Sequence, residues 1–169
     1  MVLSMLTLIS KNVKRVLIKI IMLFMSKGII SGSLLDSGVK QELMNWNEGF
    51  SFILKSDHND TGRYICWEGG RLTSGKGKLS EDEADIVICF KNIEAAFMVM
   101  TGRISVAKAF AEHRFIMKGD IFKGMSIVRI MNIVEGYLFP PFISRKILKR
   151  IPDKEVSSLR MYRHILLGF

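Results

Sequence analysis

Cysteine and long uncharged apolar runs are both scarce in this chain. Only two of its 169 residues are cysteine, Cys66 and Cys89, too few for a fold held by several disulfides. Each lies inside an apolar, strand-like run, which predicts buried free thiols in a reducing compartment. A disulfide between neighbouring strands is the alternative. The longest stretch without a charge, residues 1–10, is half of the ~20 apolar residues that a membrane span needs.

The sequence also lacks a catalytic or metal-binding constellation. Residues 70–77 nearly match a phosphate-binding loop, but Gly77 replaces the Ser/Thr that holds magnesium, and both flanks are strand-like. Residues 105–108 match the S-x-x-K pattern of serine acyl-enzymes without either partner motif. His58 lies between two aspartates in what reads as a solvated turn, and no second ligand stands at metal-site spacing from His113 or His164. We therefore expect a protein that is not an enzyme and has no metal or cofactor.

Charge is unevenly distributed along the chain, whose net charge is +9. Residues 1–40 carry six Lys/Arg and one acid, and residues 138–169 carry seven Lys/Arg and two acids, so each end has a net charge of +5. Residues 41–137 are close to neutral, with twelve basic and thirteen acidic residues. Two basic ends favour an anionic partner such as a membrane surface. Nucleic acid is disfavoured, because no familiar nucleic-acid motif occurs.

Residues 1–27 predict a basic amphipathic helix. Four cations occupy less than half of its circumference at 3.6 residues per turn: Lys11, Lys14, Arg15 and Lys19. Apolar residues fall on the other side: Val13, Val16, Leu17, Ile20, Leu23 and Phe24. Such a helix is typical of a membrane interface, and the alternative is a helix that packs on its own domain. No secretory cleavage site follows it, so we expect a cytoplasmic protein that is peripheral to a membrane.

The rest of the pattern predicts an α+β domain with helical extensions. A Gly/Ser-rich segment at 28–37 predicts a linker, which makes residues 1–37 an N-terminal helix and linker. Residues 38–138 form the predicted domain, and residues 139–169 a basic C-terminal helical extension that follows Pro140-Pro141. We expect a sheet of about five strands, antiparallel or mixed, with helices covering one face. The predicted strands are 49–55, 63–68, 71–79, 85–90 and 114–118.

The region from residue 85 to residue 137 carries a family resemblance. It reads strand, helix, short helix, strand, long helix, with the motif Gly102-Arg103-Ile104-Ser105, then Ala109-Phe110, then Phe115-Ile116-Met117-Lys118-Gly119-Asp120. At these residues the chain resembles the sterol carrier protein-2 domain family, over residues 40–138. That family usually has a glycine near position 113, where this chain has Glu112-His113.

The resemblance implies a non-catalytic lipid-binding or carrier protein. Its cargo would be a sterol, fatty acyl or isoprenoid molecule held in an apolar cavity between sheet and helices. The surplus of apolar residues on the helices predicts the lining residues: Phe97, Met100, Phe110, Met117, Met125 and Val128. The alternative is an accessory or scaffold module of a membrane-associated assembly for lipid or quinone biosynthesis, with the cavity filled by the protein's own side chains.

Overall fold

The computed structural model describes residues 10–60, 62–147 and 154–168. It confirms an α+β protein with a five-stranded mixed sheet. The helices are α1 (Lys11–Leu35), α2 (Ser37–Leu43), α3 (Ile93–Met100), α4 (Val106–Ala111), α5 (Ile121–Leu138), α6 (Pro141–Ile147) and α7 (Ser158–Leu167). The strands are β1 (Ser51–Lys55), β2 (Arg63–Glu68), β3 (Arg71–Lys76), β4 (Ile86–Phe90) and β5 (Phe115–Gly119).

The strand order in the sheet is β3-β2-β1-β4-β5. β1 and β4 are parallel, with Phe52 opposite Ile86, and the other three neighbouring pairs are antiparallel. Cys66 on β2 and Cys89 on β4 are buried free thiols, as predicted. The central strand β1 lies between their two strands, so they do not occupy adjacent strands.

Side chains alternate between the two faces of the sheet. Phe52 and Leu54 of β1 lie in the main hydrophobic core under the helices. On the other face, the β3–β4 connection is held by Glu81, which pairs with Lys55 of β1 and with Lys118 of β5. The hydrogen bonds from Lys55 and then Lys118 lower the pKa of Glu81 to about 2. The parallel pairing of β1 with β4 requires this connection to cross the sheet, and the two ion pairs tie it down.

The predicted linker at 28–37 is wrong, because α1 continues as helix to Leu35 and α2 begins at Ser37. The glycines in this stretch serve helix packing. A Cβ on Gly28 would lie 2.7 Å from Cγ1 of Val134 on α5, so glycine permits the close approach of the two helices. α1 also contributes Met22 and Met25 to the main core.

The C-terminal helix α7 packs onto the same body. Met161 and Ile165 form a second small core with Tyr137 of α5. The Tyr137 hydroxyl donates to Oδ2 of Asp36 at 2.6 Å, and it accepts from the backbone N–H of Glu155 at 3.0 Å. This buried tyrosine therefore joins the α1–α2 junction to the segment that leads into α7.

Side-chain caps begin the helices between residues 85 and 137. The order β4, α3, α4, β5, α5 matches the predicted order of elements in 85–137. Asn92 and Ser105 cap α3 and α4. Asp120 caps α5 by accepting from the backbone N–H groups of Phe122 at 2.7 Å and Lys123 at 3.3 Å. Gly119 before it has φ +106°, which a side chain rarely tolerates.

His113 ends α4 in a left-handed conformation. Its φ is +52°, and it is the non-glycine residue with positive φ in the described part of the chain. The N–H of Arg114 donates to the carbonyl of Ala109 at 2.8 Å, and the N–H of His113 to that of Phe110 at 3.0 Å. These are the two bonds of a Schellman cap, where glycine is the preferred residue. Position 113 therefore requires a backbone geometry that glycine adopts more readily than histidine.

Replacing the Asp120 cap should weaken the fold without altering its architecture. Asp120→Ala leaves two N–H groups at the start of α5 without their acceptor, at a cost of about 1 kcal/mol in unfolding free energy. Asp120→Asn, which keeps an acceptor oxygen, should recover most of the loss. Urea denaturation measures both variants, and an unchanged stability of Asp120→Ala would refute the cap.

Relieving the strain at His113 should stabilise the protein. His113→Gly removes the cost of holding a non-glycine residue in the left-handed conformation, ~1–2 kcal/mol. Glycine in turn loses more conformational freedom on folding, which costs ~0.5–1 kcal/mol. The expected net gain is about 0.5–1 kcal/mol in unfolding free energy. His113→Ala is the matched control, because it removes the same exposed imidazole and keeps the strain. Equal unfolding midpoints for the glycine and alanine variants would contradict this account.

Candidate functional site

The six predicted lining residues do not share one environment. Phe97, Met100 and Val128 are fully buried members of the main core. Phe110 and Met117 are partly buried and pack against that core. Met125 lines a different feature, a surface cavity beside Trp46. α1 packs onto the core with these residues, so its side chains take part of the space between helices and sheet. The internal lipid cavity stays a prediction.

The four predicted basic residues of α1 do not form one exposed face. Lys14 is only 5% exposed, pairs with Glu94 of α3, and lies 5.3 Å from the ring centroid of Phe97. The prediction that Lys14 faces a membrane is therefore wrong, because α1 is rotated so that this lysine lies against α3. Arg15 lies 3.8 Å from a carboxylate oxygen of Asp57, whereas Lys11 and Lys19 are exposed.

The rotation of α1 leaves apolar side chains on its outer surface. Val13, Val16 and Ile20 are exposed, whereas Ile18 and Met22 point into the core. By length and composition alone α1 is apolar enough to cross a membrane, but 44% of its most apolar window is buried inside the protein. Core packing thus accounts for much of its hydrophobicity, and the outer stripe of three aliphatic residues is the part that packing leaves unexplained.

An apolar groove of about 280 Å³ lies beside this stripe, between α1 and the β2–β3 end of the sheet. We call it the α1 groove. Its lining residues are Val16, Lys19, Ile20, Met22 and Leu23 of α1, Asp60 and Gly62 of the β1–β2 connection, and Arg63 and Lys76 of the strands. Its volume is close to the lower end of typical ligand sites.

Three cations and one carboxylate line the α1 groove. The Arg63 guanidinium is held by a 3.0 Å bond from its Nε to Oγ of Ser26. Burial would raise the pKa of Asp60, but hydrogen bonds from the hydroxyl and N–H of Ser56 outweigh it, so the pKa is lowered. Lys19 adds to this lowering. Asp60 is thus ionised and engaged, and the groove keeps an excess of positive charge.

Sequence reasoning missed the α1 groove because its residues come from three separate segments. Arg63 and Lys76 are directly opposite each other in the β2–β3 ladder. The antiparallel pairing of 63–68 with 71–76 across a tight Gly69-Gly70 turn was visible in the sequence and would have brought these two cations together. Nothing local indicated that the Ile20 side of α1 would lie beside them.

A second apolar surface lies at the start of α5. A cavity of about 530 Å³ is lined by residues of the α2–β1 connection and of α5. Several of its polar groups are already engaged: Nε1 of Trp46 donates to Oγ of Ser126 at 2.7 Å, and Arg129 forms two hydrogen bonds with Glu42. Nζ of Lys123 lies 5.2 Å from the ring centroid of Phe50. Phe122 lines this cavity and is 83% exposed. The part of this surface that has no partner within the protein is therefore mainly the apolar side chain of Phe122.

The cysteine and histidine side chains show neither a reactive thiolate nor, among the residues that the structure describes, a metal site. Sγ of Cys89 lies 3.7 Å from Nδ1 of His58, but desolvation raises the pKa of the Cys89 thiol and keeps it protonated at neutral pH. Desolvation also raises the pKa of Cys66, to about 11. Within the described ranges, no group of three or more His, Cys, Asp or Glu side chains has the arrangement of a metal site.

Glu135 is a buried acid within the helix layer. It is fully buried on α5, and within the described structure neither carboxylate oxygen has a hydrogen-bond partner. The N–H of Val106, at the start of α4, lies near the carboxyl and lowers its pKa slightly, outside good hydrogen-bond geometry. Desolvation dominates and raises the pKa of Glu135 to about 8. The carboxyl group is therefore mostly protonated at neutral pH.

Comparison of the chain with protein-family models, with curated proteins and with solved structures finds no match. The resemblance to the sterol carrier protein-2 domain family thus rests on the residues of the 102–120 region and on the order of the elements around them.

Burial of Glu135 should make stability fall as pH rises. The pKa of Glu135 is about 8 in the folded protein against 4.5 for an ordinary glutamate. At pH values between these two, the folded protein keeps a proton on this carboxyl group that the unfolded chain releases. Stability is then lost from about pH 4.5 to pH 8, at up to about 1.4 kcal/mol per pH unit, and the penalty is constant above that window. Glu135→Gln should remove this slope. Denaturant unfolding of both proteins from pH 5 to pH 9 measures it.

Glu112→Gln is the control for this experiment. The hydrogen bond from Arg114 lowers the pKa of the exposed Glu112, so its contribution is present above the ordinary glutamate pKa and is lost only as pH falls further. The stability difference between Glu112→Gln and the native protein should therefore be constant from pH 5 to pH 9 and should shrink only at more acid pH. A stability difference between Glu135→Gln and the native protein that does not vary with pH would contradict the assignment of a neutral buried acid.

Proposed function

We propose that this is a non-catalytic lipid-binding protein that takes an apolar chain with an anionic head into the α1 groove. The observation that supports the proposal is the combination in one groove of aliphatic α1 side chains with three cations, Lys19 of α1 and Arg63 and Lys76 at the ends of β2 and β3. Val16, Ile20 and Leu23 offer the apolar wall, and Arg63 and Lys76 offer the charge. No reactive group is needed for such binding, because the driving force is removal of methylenes from water.

The energetics favour a long acyl or isoprenoid chain over a small polar ligand. Each methylene moved from water to an apolar site gains about 0.8 kcal/mol. The Arg63 side chain is pre-positioned by its bond to Ser26, so it meets an anionic head with little loss of side-chain freedom. A carboxylate or phosphate head fits the positive excess at the groove, and a neutral sterol would use only its apolar wall.

The finer fold assignment is part of the same proposal. We infer a sterol carrier protein-2-like domain from the motif at 102–120, and two observations support it. The strand, two short helices, strand and long helix occur in the order that the resemblance implies. His113 has the left-handed backbone expected where that family has glycine.

The α1 groove also suggests how the protein would meet a membrane. Val13, Val16 and Ile20 are exposed beside the groove, and Lys19 lies on the groove wall. Exposed aliphatic residues with an adjacent lysine favour contact with an anionic bilayer. We propose a cytoplasmic, peripheral protein whose groove opens beside that contact, which would let a lipid enter without crossing water.

A second candidate is an accessory or scaffold role in a membrane-associated biosynthetic assembly. The observation that favours it is the exposed Phe122 beside the cavity at the start of α5. Large exposed aromatic residues next to a concave apolar surface are typical of protein interfaces. Native mass spectrometry of gently purified protein separates the two candidates, since a co-purified lipid favours the carrier and its absence favours the scaffold.

Groove variants should lose affinity for a long-chain fluorescent fatty acid. Ile20→Asp places a charge in the apolar wall and should reduce affinity about tenfold or more. Lys76→Gln removes one exposed head-group contact and should reduce it about two- to fivefold. Fluorescence titration of the purified protein gives the dissociation constants.

The chain offers a neighbouring control for each of these variants. Val13→Asp makes the same kind of change on the exposed surface of α1, and Lys78→Gln removes a cation two residues from Lys76; neither residue lines the groove. Both controls should bind as the native protein does. Equal affinity of the groove variants and their controls would place the lipid elsewhere, and no binding by the native protein would reject the carrier proposal.

A further inference from the structure

The last described helix, α7, has an unusual outer surface. At 3.6 residues per turn, five of its outward-facing residues fall within about 120° of the helix circumference. We call them the α7 outer face: Leu159, Arg160, Arg163, Leu166 and Leu167. The three leucines are 71%, 61% and 60% exposed, in that order. A short helix that leaves three leucines in water calls for an explanation beyond its own packing.

The apolar packing of α7 is already provided by its opposite side. Met161 and Ile165 are directed away from the α7 outer face at this periodicity, and both are buried against Tyr137. The Tyr162 hydroxyl donates to the carbonyl of Leu138, and Nδ1 of His164 lies 3.1 Å from Oγ of Ser31. The helix is therefore anchored to α1 and α5, and its outer leucines are not needed for that contact.

The ends of α7 are also complete. The Ser157 side chain accepts from the N–H of Arg160, and Gly168 ends the helix in the left-handed conformation with its N–H bonded to the carbonyl of His164. The backbone groups at both ends of the helix thus have partners within the protein. The outer face is thus presented on a pre-formed, anchored helix.

We propose that the α7 outer face docks the protein on an anionic lipid bilayer. Charge complementarity decides the occupant, because the helix contains no acidic residue and its two arginines lie on the same face as the exposed leucines. Leucine side chains enter the acyl boundary, whereas arginine stems lie along it with the guanidinium groups at the phosphates. This proposal does not rest on lipid binding in the α1 groove.

A second copy of the chain is a poorer occupant. In a two-fold symmetric contact the same surface faces itself. Arg160 and Arg163 of one copy would then lie near their counterparts, and like charges in a contact oppose association. An anionic bilayer replaces this repulsion with attraction, because each arginine then lies beside a lipid phosphate. Self-association is nevertheless an outcome that the experiment can detect.

Vesicle co-sedimentation of the full chain tests the proposal, with neutral phosphatidylcholine and with mixtures containing phosphatidylglycerol. The double variant R160Q/R163Q should bind phosphatidylglycerol vesicles about 25-fold more weakly, roughly fivefold per arginine. The double variant L159S/L166S should lose at least about tenfold. Native binding should rise with the anionic fraction and fall with added salt.

Matched variants elsewhere make the result specific to the α7 outer face. R71Q/K78Q removes two exposed cations at the β3 end of the sheet and should bind vesicles nearly as the native protein does. Melting temperatures of all variants should agree, because the altered side chains are exposed. Fatty-acid affinity of the α7 variants should equal that of the native protein, so failure here and failure of the groove proposal are distinguishable.

Three results would overturn the proposal. Native-like vesicle binding by both α7 double variants rejects it directly. A loss with K11Q/K19Q and none with the α7 variants would assign the membrane contact to α1. A native dimer in sedimentation velocity that becomes monomeric in L159S/L166S, with vesicle binding unchanged, would make the outer face a contact between copies.

Discussion

The close contact between α1 and α5 is the constraint on which the rest of the structure depends. Gly28 lets Val134 approach to a distance that no side chain at that position would permit, and Gly32 lies against both Val134 and Val39. α1 is thereby fixed over the sheet and takes part in the main core. α7 packs on this same pair of helices, so both ends of the described chain belong to one body.

The same contact determines which charges of α1 are available. With the helix rotated to bring Gly28 against α5, Lys14 is directed toward α3 and is neutralised by Glu94. A buried lysine with its partner on the surface is tolerable because it also lies over the ring of Phe97. Lys19 is directed toward Arg63 and Lys76 and becomes part of the groove. The electrostatic character of α1 is therefore a property of its packing and not of its composition.

The surplus of apolar residues is divided between the core and the surface. Phe97, Met100 and Val128 belong to the core, whereas Ile20, Phe122 and Leu159 are exposed on three different elements. The two outer surfaces with adjacent free cations, on α1 and α7, suit contact with lipid. The surface at Phe122 has two cations: Arg129 is bonded to Glu42, and Nζ of Lys123 lies 5.2 Å from the ring centroid of Phe50. This difference in available charge is why we assign lipid to the first two and a protein partner to the third.

The sequence by itself determined the elements whose signals are local. Asn92, Ser105 and Asp120 were recognisable as caps because a side-chain oxygen needs only the next two or three N–H groups. Alternation and turn residues likewise gave the five strands, and the order of elements in 85–137 followed from them. Burial of both thiols was predictable because each lies in an apolar strand.

Only the tertiary structure decided what the glycines of 28–37 do, which way α1 is rotated and where cations meet. A glycine that permits close helix packing and one that breaks a helix have the same local sequence signature, and the difference lies in Val134, over a hundred residues away. The α1 groove joins residues from three separate segments, and the outward position of Leu159 depends on which side of α7 meets Tyr137. Such features depend on non-local contacts, because the free energy of burial is set by what a side chain meets and not by its neighbours along the chain.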